Sequence, residues 1–129
     1  MKQLCADIRT FLVERGWDGI RPSDIAKSIS IEAGELLELF QWNDMTQEAL
    51  KADGERMKKL PRELADILIY ALEMCALLGL DAEVIVRDKL AYNSEKYPAK
   101  LMRERADKSG TSTDPYIQIK RSHRRKENA

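Results

Sequence analysis

The sequence predicts an all-α fold, a four-helix bundle that associates with copies of itself. Three observations carry this expectation. Apolar residues recur at helical spacing along each long segment, stop and start residues separate those segments at short intervals, and one segment is apolar on almost every side. With 129 residues, 43% of them hydrophobic, the chain can bury one core and is short for two. The expected organisation is a helical domain over residues 1–107 followed by a flexible basic tail over 108–129.

The first helix is expected over Lys2 to Arg15, where Leu4, Ile8, Phe11 and Leu12 share one face and Gly16 is the stop. Residues 17–22 form a loop ending at Pro22 or Ser23, which starts a second helix running to about Trp42 with Asp24 in its first turn. Asn43 to Lys59 is charged and turns at Asp53-Gly54, so it is expected to be a linker with a short helix near Gln47 to Lys51. Pro61 is expected to start a third helix that Gly79 ends. Beyond Asp66 that helix reads Ile67, Leu68, Ile69, Ala71, Leu72, Met74, Cys75, Ala76, Leu77 and Leu78. A helix that is hydrophobic all round is buried all round. Three other helices and a tail supply too little cover, which is why self-association is expected. A fourth helix is expected from near Asp81 to just before Pro98, with Lys100 to Asp107 continuing helically. Lys108 to Pro115 is flexible by composition, Tyr116 to Ile119 suits a short strand, and Lys120 to Ala129 is expected to be disordered.

Composition narrows the function classes. Equal numbers of basic and acidic residues, 22 of each, advertise neither nucleic acid nor a membrane surface, although the basic residues concentrate after Lys100. Cys5 and Cys75 lack metal-binding spacing and suit a reducing compartment. The longest apolar run, Ile67 to Leu80, contains Glu73 and falls short of the roughly 20 residues needed to cross a bilayer. No basic-then-apolar leader precedes the first helix, so the expectation is a soluble, cytoplasmic protein with no membrane partner. The one histidine, His123, lies in the basic tail, so any metal site in the body must use oxygen ligands, which favours hard divalent cations.

The chemistry is concentrated where carboxylates interrupt apolar faces. Ile25, Ile29, Leu36 and Phe40 form a stripe on the second helix, and Glu32 projects from within it, with Glu35 one turn on. On the third helix Glu63, Asp66 and Glu73 share a face with Tyr70. Two helices thus present acids three residues apart, a spacing at which both can reach one ion. Buried carboxylates without compensation repel strongly, and divalent cations are the economical answer, although lysines from the fourth helix are an alternative. There Lys89, Asn93 and Lys96 form one stripe, ended by Tyr97. Lysines beside carboxylate-bound metal are what a polyphosphate needs.

Glu32-Ala-Gly-Glu35, separated by residues 36–62 from Glu63-Leu-Ala-Asp66, resembles the Glu-x-x-Glu and Glu-x-x-Asp pattern of the MazG-like all-α nucleoside triphosphate pyrophosphohydrolases. Glu-Leu-Phe-Gln-Trp at 38–42, Asp-Ile-Leu-Ile-Tyr at 66–70 and Lys-x-x-x-Asn-x-x-Lys-Tyr-Pro at 89–98 extend the likeness to the short branch that includes the dCTP pyrophosphatases. It covers about Phe11 to Pro98. The resemblance implies hydrolysis of a nucleoside triphosphate between its α and β phosphates, giving a monophosphate and pyrophosphate, with Mg²⁺ as cofactor and Mn²⁺ as a substitute. It implies Glu32, Glu35, Glu63 and Asp66 as metal ligands. Lys89, Asn93, Lys96 and Tyr97 would hold phosphates and sugar, and Trp17 and Trp42 would wall the base pocket. Either Glu35 or Glu38 would orient or deprotonate the attacking water, since no histidine is at hand. It also implies dimers or tetramers, the tetramer as a dimer of dimers being favoured.

Two departures limit the transfer. Ile20-Arg21-Pro22 replaces a loop in which relatives often carry a histidine, so base preference does not follow. Glu73 stands where relatives commonly have an apolar residue, and its role stays open between a lysine's partner, an extra ligand and a subunit contact. The rival to the enzyme is a noncatalytic adaptor that binds nucleic acid or protein through Lys120 to Lys126, which leaves the buried acids unexplained. A ferritin-like metalloprotein would require Glu-x-x-His pairs, for which the chain lacks histidines.

Overall fold

The structure, a computed structural model, describes residues 1–105, 110, 111 and 113–129. They form helices α1 (Lys2–Glu14), α2 (Pro22–Glu38), α3 (Gln47–Ala52), α4 (Gly54–Leu78), α5 (Ala82–Lys96), α6 (Ala99–Arg103) and α7 (Pro115–Glu127), and no strand occurs among the described residues. The all-α expectation is met. The chain divides into two compact units, Met1–Glu83 and Val84–Ala129, and α5 spans their boundary. The expected domain boundary at 107/108 lies outside the described residues.

In the first unit α4 is the central element, packed against α2 and α1, with α3 beside it. Its core joins Ile8 and Leu12 of α1 to Leu72 and Cys75 of α4 and to Ala82, with Cys5 and Leu77 packed on it. Across the α1–α4 seam the Arg9 guanidinium donates to the Ala76 carbonyl at 3.0 Å, and Lys2 pairs with Asp81 at 3.5 Å. On α2, Ile25 is 1% exposed, so its truncation to Ala would cost about 2 to 5 kcal/mol.

Helix ends explain most of the boundaries. Gly16 takes φ +66°, and the Trp17 N–H donates to the Leu12 carbonyl at 2.9 Å while the Gly16 N–H donates to Val13 at 3.0 Å. This paired closure is the Schellman motif, and it fixes the direction in which Trp17 leaves α1. Pro22 opens α2, and Asp24 in its first turn pairs with Arg21 and Lys27 at 3.0 and 2.9 Å. α2 ends at Glu38, before the expected Trp42, in a turn whose Leu39 carbonyl accepts from Arg56 Nε at 2.7 Å.

Three expectations need correction. The third long helix begins at Gly54, two turns before Pro61, because the Asp53 side chain caps it by accepting from the Arg56 N–H at 3.0 Å. Burial all round that helix is not met within the chain: Leu64, Leu68, Ile69 and Leu78 are exposed. Tyr116 to Ile119 is not a strand and the basic end is not irregular, for both belong to α7. The cause is local. Asp114, fully buried, accepts from the Tyr116 N–H at 2.9 Å and from Arg105 Nε at 2.8 Å, and Pro115 occupies the first turn. Lys100 to Asp107 is helical only over α6, and Ala106 and Asp107 lie outside the described residues.

Candidate active site

The packing of α2 against α4 turns two sequence patterns into one cluster. Glu32 from α2 meets Glu63 and Asp66 from α4, and one carboxylate oxygen of each lies within 4.8 Å of the others. Glu32 and Glu63 are half-buried, whereas Asp66 is exposed. Glu35, one turn along α2, is exposed and stands outside this group of three. Its charge nevertheless acts on Glu32. Burial first, then Glu35, Asp66 and Glu63, hold the Glu32 carboxyl above its ordinary range. No cation in the first unit offsets that push among the described residues. Carboxylates gathered without a positive partner disfavour their own ionisation, and a hard divalent cation with oxygen preference fits this donor set.

Beside the cluster opens a largely apolar cleft of about 810 Å³. Leu4, Asp7, Ile8, Phe11 and Leu12 line it from α1, and Trp17 and Ile20 from the loop. Glu32 reaches it from α2, and Asp66, Ile69, Tyr70 and Glu73 line it from α4. Trp17 meets the edge of Phe11 with ring centroids 6.0 Å apart, so the Schellman turn and this contact together hold the indole at the cleft. The cleft therefore joins a carboxylate cluster at Glu32 and Asp66 to an apolar surface bearing stacked-ring capacity. Glu73 is its outlier: 4% exposed, with burial alone pushing its carboxyl up.

Two other expected site residues stand apart from the cleft within the first unit. Trp42 lies in the turn after α2, is 85% exposed and does not line the cleft. Glu38 borders a separate shallow depression with Arg56 and Lys59. Lys89, Asn93, Lys96 and Tyr97 belong to the second unit, where Lys96 Nζ lies 5.7 Å from the Tyr92 ring centre and 5.5 Å from that of Tyr97. Tyr97 stacks on Tyr116 of α7 at 5.2 Å.

Leu4, Asp7 and Phe11 were not legible as site residues, since they reach the cleft only because α1 packs along α4, and Ile20 reaches it from the loop that follows α1. Tyr70 carried a signal, its register with Asp66 on one helical face.

A sequence model described as the MazG-like family matches residues 27–111. Human dCTP pyrophosphatase 1 is 33% identical over 108 residues, and the match covers 76% of this chain and 59% of that protein. The bovine dCTP pyrophosphatase 1 is 35% identical over 100 residues with the same coverage. This chain thus spans 59% of the length of the curated relatives it matches. Among solved structures, a pyrophosphatase from Archaeoglobus fulgidus superposes with a TM-score of 0.67 at 37% identity, over 76% of this chain and 92% of that one.

Proposed function

The chain belongs to the MazG-like family, and from that premise we propose that it is a nucleoside triphosphate pyrophosphohydrolase. It would cleave a (deoxy)nucleoside triphosphate between the α and β phosphates, releasing a monophosphate and pyrophosphate, in a nucleotide-pool-cleaning role in the cytoplasm. The single observation that carries this reading is the convergence of Glu32, Glu63 and Asp66 beside an apolar cleft walled by Trp17. Acids alone repel a polyphosphate, so the arrangement makes sense only with cations between them.

Glu32, Glu63 and Asp66, with Glu35 from the next turn, are the residues that would hold Mg²⁺, with Mn²⁺ as a substitute. Divalent cations supply charge neutralisation for the phosphates and acidify water. The remaining tasks fall to side chains. Trp17 offers a ring on which a base stacks, typically worth ~1 to 3 kcal/mol. Trp42, largely exposed in the turn after α2, is the second aromatic candidate. Lys89, Asn93, Lys96 and Tyr97 are candidates for the phosphates and sugar. Either Glu35 or Glu38 accepts the proton of the attacking water; Glu35 is favoured because it neighbours Glu32, whereas Glu38 borders Arg56 and Lys59. The exposed leucines of α4 suit burial against further copies, and a dimer of dimers remains the favoured assembly.

The adaptor reading gains one observation, since the basic end forms the helix α7 with Arg121, Arg124, Arg125 and Lys126 exposed. It leaves the acid cluster and the cleft without a role. Incubation with Mg²⁺ and a panel of canonical-base and modified nucleoside triphosphates, with pyrophosphate assayed, tests the proposal. No turnover of any member, or orthophosphate as the product, would overturn it.

A further inference from the structure

We infer that Glu73 is the residue that reads the nucleobase, accepting a hydrogen bond from an exocyclic amine and so selecting cytosine and adenine bases over uracil and thymine. The inference rests on the reading of the cleft as a nucleotide site. Glu73 lies seven residues beyond Asp66 on α4, which returns it to almost the same helical face ~10 Å further along. That is about the span from a 5′-phosphate to the far edge of its base. A nucleotide whose phosphates meet the acids at Glu32 and Asp66, and whose base stacks on Trp17, thus brings its base edge within reach of Glu73.

The surroundings narrow what that edge must offer. The cleft that Glu73 lines also includes Ile8, Ile69 and Tyr70, its charged residues are Asp7, Glu32, Asp66 and Glu73, and no basic side chain lines it. Asp7 accepts from Gln3 Nε2 at 2.9 Å, whereas Glu73 is only 4% exposed and forms no hydrogen bond or ion pair among the described residues. None of its oxygens is sealed off without a partner, so the carboxylate opens into the cleft. A buried carboxylate facing apolar walls is costly unless a donor meets it. The pushed-up Glu73 carboxyl is in keeping with that missing donor. The amine of cytosine or adenine supplies it, and acidic side chains pair in this way with the cytosine amine. Uracil and thymine present a carbonyl oxygen at that position, which a carboxylate repels.

The test compares dCTP, dATP, dUTP and TTP with Mg²⁺ on the full chain and on Glu73→Gln and Glu73→Leu, and in parallel the binding of dCMP and dUMP by calorimetry. Wild type should favour dCTP or dATP over dUTP by about tenfold or more in kcat/KM, and dCMP over dUMP in affinity. Both variants should bring these ratios to within about twofold. Which amino base is favoured separates a pyrimidine from a purine site. Glu73→Leu removes a buried charge and should raise Tm, so loss of folding is not the expected outcome. Base ratios unchanged in both variants would overturn the inference, as would a lowered Tm with intact ratios, which would mark Glu73 as paired with a neighbouring copy. If no triphosphate is turned over, the proposed function falls, and the monophosphate affinities alone decide the role of Glu73.

Discussion

Glu32 of α2 and Asp66 of α4 approach until their carboxylate oxygens lie within 4.8 Å, although they are 34 positions apart in sequence. With Glu63 they form a site in which burial, and then the neighbouring acids, hold the Glu32 carboxyl above its ordinary range. Asp66→Asn should therefore raise Tm in metal-free buffer. The wild type should gain from Mg²⁺, by about 2.7 kcal/mol at a hundredfold excess over Kd, and the variant should gain little. Paired thermal melts with and without Mg²⁺ check both halves.

Glu35 and Glu38 divide the water-activating role between two candidates. Loss of a general base typically lowers turnover ~10² to 10⁴-fold. Glu35→Gln is expected to fall in that range and Glu38→Gln to stay within a few-fold of wild type, with metal affinity measured separately for each. Unchanged turnover in both would remove carboxylate activation of water from the mechanism.

Trp17 is held at the cleft by the Gly16 turn and by Phe11. Trp17→Ala should raise KM about tenfold with a smaller effect on kcat, in line with loss of a stacking contact worth ~1 to 3 kcal/mol. Trp42→Ala, altering a side chain that is 85% exposed, should change KM less in steady-state assays.

How much of this was written in the sequence differs by residue. The acid pairs were legible because i, i+3 spacing on a helix needs no tertiary knowledge, and both pairs lie on helices, although α2 ends before the expected Trp42 and α4 begins before the expected Pro61. That Glu35 stands apart from the other three was not legible, since it depends on the crossing of α2 over α4. Pro61 misled because proline usually opens a helix, whereas the Asp53 cap had already opened this one. The Asp114-Pro115 start of α7 carried the same kind of signal as Pro22, but the charged residues after it read as a disordered tail. The cleft itself was hidden, because it is built from α1 side chains brought alongside α4.

Asp114 gives a pH prediction in the second unit. Burial pushes its carboxyl up, but donation from Gly110, Arg105 and Tyr116 outweighs that and holds it below its ordinary value of 3.8. A depressed acid contributes stability that is present above the unfolded value and lost as pH falls through the folded one. The protection of the α7 amides relative to their unfolded exchange rates should therefore stay high at neutral pH and fall only below pH 3.8. In Asp114→Asn that protection should be low already at neutral pH.

The central claim is cleavage between the α and β phosphates. The most direct measurement follows a purified-protein reaction with Mg²⁺ and dCTP by ³¹P NMR until substrate is consumed. Equal amounts of dCMP and pyrophosphate are expected, with no product from Asp66→Asn. Formation of dCDP and orthophosphate, or unchanged dCTP, would contradict the account.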